Sequence, residues 1–146
     1  MIGYKADMKR SPRIIVIVCG LIVSCGAILG AAPGNFTGEY ADKKFLNGRG
    51  VFQMSLEQNE NNVSVFFSAA HNDGSGAAPE ADGTGKVTSK GTVEFKWEDS
   101  FKNAGTGKIS RSGTDVIVSI KATRIADPRC LEFYRQNIRL KPAGKK

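Results

Sequence analysis

Apolar and polar residues alternate in short runs along most of the chain after residue 33, and this alternation strongly constrains the fold. The clearest run lies at 92–98, where Val93, Phe95 and Trp97 alternate with charged or hydroxyl-bearing residues. A period of two places the two sets of side chains on opposite faces of a β-strand. No stretch after residue 33 sustains the 3.6-residue apolar period of a helix. The sequence therefore predicts a nearly all-β domain in which each strand has one dry face.

A Gly-x-Gly pattern precedes three of the predicted hairpins, at 48–50, 83–85 and 105–107. The last two copies open closely similar segments, and they are offset by 22 residues. This repetition predicts two related hairpin units, each with a glycine-marked first strand, a turn glycine and a returning apolar strand. Glycines within strands also permit the coiling and close backbone approach that a small barrel needs.

About eight strands are predicted by these patterns. They lie at 35–40, 48–57, 62–70, 84–89, 92–98, 104–110, 114–123 and 131–140. In the last strand Leu131 and Phe133 are out of phase with the later apolar residues, which predicts a β-bulge near Tyr134. Because sequential strands usually pair and full closure removes exposed edges, we expect a small antiparallel up-and-down barrel, with a β-sandwich as the alternative.

In strand number and connection, the predicted barrel is similar to the calycin group, which includes the lipocalins and avidins. The resemblance is one of architecture and covers the whole β-domain. It implies a small barrel whose interior is either filled by side chains or holds one small ligand.

The segment at 14–32 is uncharged and largely apolar, and it follows a short basic N-terminus. This arrangement is typical of an export signal. We therefore expect residues 1–32 to form a hydrophobic signal helix and residues 33–146 to form a single β-barrel domain. The expected location is the periplasm or the cell exterior.

Three forms of the export segment remain open. In a cleaved secretory signal, the small residues at 30–32 would mark the cleavage site, although Pro33 is a poor first residue for the mature chain. In a lipoprotein signal, Ile22-Val23-Ser24-Cys25 resembles the lipobox, and Cys25 would carry the lipid. In an uncleaved signal, the apolar segment would anchor the domain in the membrane.

The chain carries a formal net charge of +7. Beyond residue 32, a mild basic excess remains, with 17 Lys and Arg against 13 Asp and Glu. Such a bias can attract polysaccharide, lipid headgroups or nucleic acid, but a solvated charged face is the commoner explanation. Because no basic stripe is interleaved with aromatic residues, we expect no nucleic-acid partner.

Cys130 is the only cysteine beyond residue 32, so it has no partner for a disulfide within the barrel domain. We expect it to behave as a buried, small apolar side chain. If Cys25 stays unlipidated in the mature chain, a Cys25 to Cys130 bridge is the alternative in an oxidising compartment.

The longest predicted loop spans 71–85 and holds the only histidine. Loops of this length often carry function, so we expect this one to contact a partner. Its candidate contact residues are His71, Asp73, Ser75, Glu80 and Asp82. The carboxylates and the histidine match neither a calcium loop nor a zinc site in spacing, so no metal is expected.

A second candidate site lies inside the predicted barrel. Phe95, Trp97 and Tyr134 would either line a ligand cavity or fill the core. Gln136 is predicted to point inward, and a buried polar group must find a partner. These four residues are therefore the candidate ligand-binding set.

Catalytic motifs are weak in this sequence. A nucleophilic pair of Cys130 and His71 is conceivable, but chance explains one cysteine and one histidine better. The Gly-x-Gly segments are followed by strands, whereas a phosphate cradle needs a helix start. We therefore expect a non-enzymatic exported binding protein without a cofactor. It would bind a small ligand or an envelope protein. The alternative is an inhibitor that blocks a lysozyme-like envelope hydrolase with the 71–85 loop. An enzymatic function is the least favoured hypothesis.

Overall fold

The computed structural model describes residues 34–144, in which eight antiparallel strands form a closed barrel. The strands are β1 (Gly38–Phe45), β2 (Gly50–Asn59), β3 (Asn62–His71), β4 (Glu80–Val87), β5 (Val93–Asp99), β6 (Ala104–Ser112), β7 (Asp115–Arg124) and β8 (Ile138–Pro142). Each strand pairs with the next in sequence, and β8 pairs with β1 to close the barrel. The predicted all-β, up-and-down barrel is confirmed.

The predicted export signal at 1–32 lies outside the described residues, together with Cys25 and the choice among its three forms. The export signal and its form therefore stay predictions. Within residues 34–144, no helix combines the length and the apolar character needed to cross a membrane. Cys130 has a free thiol and is buried, as expected.

The barrel interior is filled by the apolar side chains that occupy alternate positions along each strand. A chain of aromatic side chains crosses it: Phe52 stacks on Phe67, and Phe67 meets Trp97 edge to face, both with ring centroids 5.5 Å apart. Trp97 then contacts Tyr134 at 4.8 Å. Such aromatic pairs contribute roughly 0.5–1.5 kcal/mol each beyond the area that they bury. The interior is therefore occupied by mutually packed side chains of the chain itself.

The inward aromatic residues of β5 lie between glycines on both neighbouring strands. Trp97 is paired with Gly83 on β4 and Gly105 on β6. In the same way, Phe95 is paired with Gly85 and Gly107. A Cβ atom at Gly107 would overlap the Phe95 ring, and the Trp97 indole Nε1 donates a 3.0 Å hydrogen bond to the Thr106 carbonyl of β6.

This arrangement explains the sequence repeat. The two Gly-Thr-Gly-Lys segments, at 83–86 and 105–108, are the stretches of β4 and β6 that pair with β5 on its two sides. Gly107 leaves room for the Phe95 ring, whereas at Gly83, Gly85 and Gly105 a Cβ would overlap a backbone carbonyl oxygen of a paired strand. The two copies of the repeat therefore correspond to β4 and β6, the strands that pair with β5 on either side.

The chain between β7 and β8 differs from the prediction. Residues 131–140 were expected to form one bulged strand, but Pro128–Phe133 form a 3₁₀ helix and β8 begins only at Ile138. Asp127 caps this helix by accepting a hydrogen bond from the Arg129 N–H, and Pro128 occupies its first turn. Cys130 and Phe133 are both fully buried, because side chains three residues apart share one side of a 3₁₀ helix. Leu131 and Phe133 are therefore out of phase with β8 because they belong to a helix and not because the strand contains a bulge.

The predicted 71–85 loop is also shorter in the structure, because β4 begins at Glu80. Ala81 points inward, is fully buried and pairs with both Phe67 and Asp99. This burial extends the strand beyond the predicted start at residue 84. Glu80 and Asp82 consequently lie on the sheet and not in a loop.

Each end of the barrel is closed by residues of the chain. The 3₁₀ helix covers the end where β7 leaves the sheet, with Phe133 stacked on Phe45 at 6.4 Å. At the opposite end, Phe36 is 1% exposed. Its backbone N–H donates to the side chain of Gln58, and its carbonyl accepts from the Tyr40 hydroxyl, both at 2.9 Å. Both mouths are thus closed by buried phenylalanines.

We predict that Gly107→Ala destabilises the barrel by about 2–3 kcal/mol, because the new methyl group overlaps the Phe95 ring. Replacing Phe95 by Leu in the same chain should recover part of this loss, with a coupling energy of about 1 kcal/mol in a double-mutant cycle. Urea unfolding of the four proteins measures it. Gly113→Ala is the control, since open space surrounds its position and its cost should simply add to that of Phe95→Leu. Additive costs for Gly107→Ala and Phe95→Leu would contradict the packing described.

Candidate functional site

The four residues predicted to bind a ligand do not line one cavity. Phe95 and Trp97 are each 3% exposed and belong to the packed core. Tyr134 is partly buried and donates its hydroxyl hydrogen to Asp99. Gln136, in contrast, is exposed on the outside, and its side chain donates to the Ile120 carbonyl at 3.3 Å. The inward orientation predicted for Gln136 is wrong, because the 3₁₀ helix changes the phase of this segment.

The five residues predicted to form a partner-binding loop are divided between two places. His71 ends β3, and its Nε2 lies 2.8 Å from the Glu132 carboxylate of the 3₁₀ helix. Hydrogen bonds from the Ser75 side chain and from the Ser75 backbone N–H lower the pKa of the Asp73 carboxyl. Glu80 and Asp82 lie instead on β4, with exposed side chains. Within residues 34–144, no three His, Cys, Asp or Glu side chains converge as a metal site would require.

A buried polar network at the helix-capped end was not predicted. Asn103 is fully buried, and its Oδ1 accepts hydrogen bonds from the backbone N–H groups of Ala126 and Asp127 at 2.7 and 2.8 Å. Its side-chain amide donates to Asp99, which also accepts from Tyr134. The network therefore ties the β5–β6 turn to the segment that leads into the 3₁₀ helix. In the sequence, Asp99 follows Val93, Phe95 and Trp97 at the inward positions of β5. A charged residue at an inward position could have indicated a buried polar network.

Neither titratable neighbour of Asp99 is prepared for nucleophilic chemistry. Burial, together with the hydrogen bond to Asp99, raises the pKa of the Tyr134 hydroxyl. Burial and the charge of Asp99 also raise the pKa of the Cys130 thiol. Both groups are therefore protonated near neutral pH, whereas a reactive cysteine needs a lowered pKa. The partner of His71 is Glu132, not Cys130, and the cluster is suited to holding the 3₁₀ helix in place.

The most distinctive surface is a depression on the outer wall of β1–β5, with a volume of about 910 Å³. We call it the Phe66 face. Phe66 is 40% exposed and lies directly across from Ser55 on β2 and Asp82 on β4. The outward-facing residues that define the face are Glu39, Ser55, Glu57, Ser64, Phe66, Asp82, Thr84, Lys96 and Glu98.

Carboxylates dominate the surroundings of Phe66. Four of them line the depression: Glu39, Glu57, Asp82 and Glu98. Glu80 lines an adjoining depression of about 420 Å³ that shares Phe66. Glu98 pairs with Arg124 at 2.8 Å, while none of the ion pairs found within residues 34–144 involves Glu39, Glu57 or Asp82. An exposed aromatic ring thus lies in an acidic surface of a chain whose net charge is positive.

Phe66 was not predicted as a site residue, although the sequence of β3 places an aromatic side chain on the outer face of the sheet at this position. The alternation in β3 places Val63, Val65 and Phe67 inside, so Phe66 is the aromatic residue in the polar phase. An isolated exposed apolar side chain is ordinary on a protein surface. Only the closed sheet shows that carboxylates from β1, β2, β4 and β5 surround it.

No protein-family model, curated protein or solved structure matches this chain. The residues of the barrel are therefore the basis for inferring what the protein does. They offer a filled interior, a buried polar network and an acidic outer face with an aromatic centre. Of these features, the outer face is the one that is open to a partner.

We predict that Asn103→Ala lowers the free energy of unfolding by about 2–3 kcal/mol, because two backbone N–H groups and Asp99 lose a partner. Asn61→Ala provides the matched control, since Asn61 is an exposed turn residue. Its cost should stay within about 0.5 kcal/mol. Urea unfolding followed by circular dichroism measures both variants. Equal stability of the two variants would show that the network does not hold the capped end.

Proposed function

We propose that this protein is an exported, non-enzymatic binding protein that recognises a cationic segment of an envelope protein on the Phe66 face. The observation that carries this proposal is the acidic depression around the exposed Phe66 side chain. Export rests on the signal-like sequence of residues 1–32, and the partner class rests on charge and shape.

The filled interior favours recognition on the outside. A small-ligand barrel needs an open mouth and an interior lined for its ligand. In this barrel, Phe36 and Phe133 are buried at the two ends, and Phe52, Phe67 and Trp97 pack against one another between them. A ligand would have to displace this packing, whereas the Phe66 face is accessible without any rearrangement.

The chemistry of the Phe66 face indicates a partner with both positive charge and an apolar anchor. An aromatic side chain in a surface depression is typical of the residues that dominate binding energy at interfaces. Carboxylates around it attract Lys and Arg side chains, raise the association rate and repel anionic competitors. Together they suit a basic peptide segment that places one apolar side chain against Phe66.

The test uses a defined probe, an oligolysine peptide with one central leucine, and measures its affinity by isothermal titration calorimetry. We predict that Phe66→Ala weakens binding about tenfold, which corresponds to roughly 1.4 kcal/mol. Leu131→Ala is the matched control, because Leu131 is also 40% exposed but lies on the 3₁₀ helix. That variant should bind within about twofold of wild type.

A second pair of variants separates charge from the apolar contact. Glu57→Gln with Asp82→Asn should weaken binding and flatten its salt dependence, because these carboxylates line the face. Glu60→Gln with Asp42→Asn removes the same charge elsewhere. Equal affinity losses in the two pairs, or equal losses in Phe66→Ala and Leu131→Ala, would refute the Phe66 face as the binding surface.

The second candidate function is inhibition of a lysozyme-like hydrolase by the loop at 72–79. The observation that favours it is the anchoring of this loop at both ends. Asn72 bonds to the backbone of Gly48 and Arg49, each at 2.9 Å, and the Pro79 carbonyl accepts from the Ala69 N–H at 3.2 Å. A preorganised loop loses less entropy when it enters a cleft.

Replacing residues 73–76 with a short glycine-serine linker should abolish inhibition in a lysozyme assay if the loop acts this way; unchanged inhibition would exclude it.

A further inference from the structure

A second outer surface carries the opposite charge. It is a depression of about 750 Å³ over β4–β7, which we call the lysine face. Its four cations are Lys86, Lys96, Lys108 and Lys121, one on each of four neighbouring strands. None of the ion pairs found among the described residues involves them. Within residues 34–144, no carboxylate therefore lies at ion-pair distance from these four ammonium groups.

The register sets the spacing of these lysines. Lys86 and Lys108 lie in one row, on either side of Glu94, and Lys96 lies in the next row, separated from Lys121 by Thr106. The four cations therefore form a zigzag that crosses the strands. Three interstrand steps of about 4.8 Å give a span of roughly 14 Å. A row of this kind matches repeated negative charges along a linear polymer better than one compact anion.

The rest of the lining is polar. Thr84, Thr106 and Ser119 contribute hydroxyl groups, and Gln136 contributes a side-chain amide. The backbone of Gly85 and Gly107 also lines the depression, where the strands carry no side chain. Hydroxyl and amide groups beside cations are suited to hydrogen-bond a hydroxylated, negatively charged chain.

We propose that the lysine face binds a linear anionic polysaccharide, with Lys86, Lys96, Lys108 and Lys121 pairing with successive carboxylate or sulfate groups. Two features separate this ligand from other polyanions. The surface is a depression, which a narrow chain enters more readily than a flat bilayer. The only aromatic residue in the lining, Phe95, is 3% exposed, so it offers no stacking platform for the bases of single-stranded nucleic acid.

The test measures binding of the full-length chain, held in neutral detergent, to size-defined oligogalacturonate and to a sulfated dextran oligomer. Neutral maltodextrin of similar length is the uncharged control. Replacing all four lysines of the lysine face by glutamine should weaken binding at least tenfold, by about twofold or more per cation, and reduce its salt dependence. The matched control replaces Lys43, Lys44, Lys90 and Lys141, which are exposed elsewhere. It removes the same charge and should keep binding within about threefold of wild type.

A gain-of-function variant tests the site independently of lost charge. Glu94 lies between Lys86 and Lys108, so it repels an anionic ligand there. Glu94→Gln should raise the affinity about two- to threefold. Phe66→Ala should leave polysaccharide binding unchanged, so failure of this proposal and failure of the Phe66 face are distinguishable.

Several results would overturn the proposal. These are equal losses in the two quadruple variants, no binding of either anionic oligosaccharide by wild type, or no gain with Glu94→Gln. Tighter binding to phosphatidylglycerol nanodiscs or to a single-stranded oligonucleotide, lost in the Lys86, Lys96, Lys108 and Lys121 variant, would assign the surface to a membrane or to nucleic acid instead. Thermal unfolding by circular dichroism verifies that each variant is folded before binding is compared.

Discussion

The packing of the β5 aromatic residues against glycines on both neighbouring strands is the constraint on which the rest of the barrel depends. A Cβ at Gly107 would overlap the Phe95 ring. At Gly83, Gly85 and Gly105 it would overlap a backbone carbonyl oxygen of a paired strand, so the strands approach this closely only where no side chain intervenes. Three of these glycines also line the two outer depressions, Gly83 in one and Gly85 and Gly107 in the other. The interior packing and the two outer depressions are thus linked through one set of residues.

The filled interior leaves the outer wall as the accessible surface of the barrel. Phe36 at one end and Phe133 at the other close the mouths, and the buried network of Asp99, Asn103 and Tyr134 holds the helix-capped end. The outer wall then presents two faces of opposite charge, which share Thr84 and Lys96 at their border. Such a division suits a protein that links a cationic partner to an anionic polymer.

Most of the barrel could be predicted from sequence, because strict alternation fixes strands such as β5 and the Gly-Thr-Gly-Lys repeat marks their flanks. The segment 128–133 could not, since the spacing of Cys130 and Phe133 fits both a bulged strand and a 3₁₀ helix until Asp127 and Pro128 are recognised as a helix start. The two outer faces were not predictable from sequence because they combine single residues from four or five strands. Phe66 gained meaning only once the register placed Asp82 and Glu98 beside it.

The most direct test of the filled interior uses Trp97, the only tryptophan of the chain. Its side chain is packed between Phe67 and Tyr134 and is 3% exposed. Acrylamide quenching of its fluorescence should be several-fold weaker in the folded protein than in urea, with blue-shifted emission, because a buried indole is shielded from the quencher. Quenching in the folded protein as strong as in urea would show an accessible interior and contradict recognition confined to the outer wall.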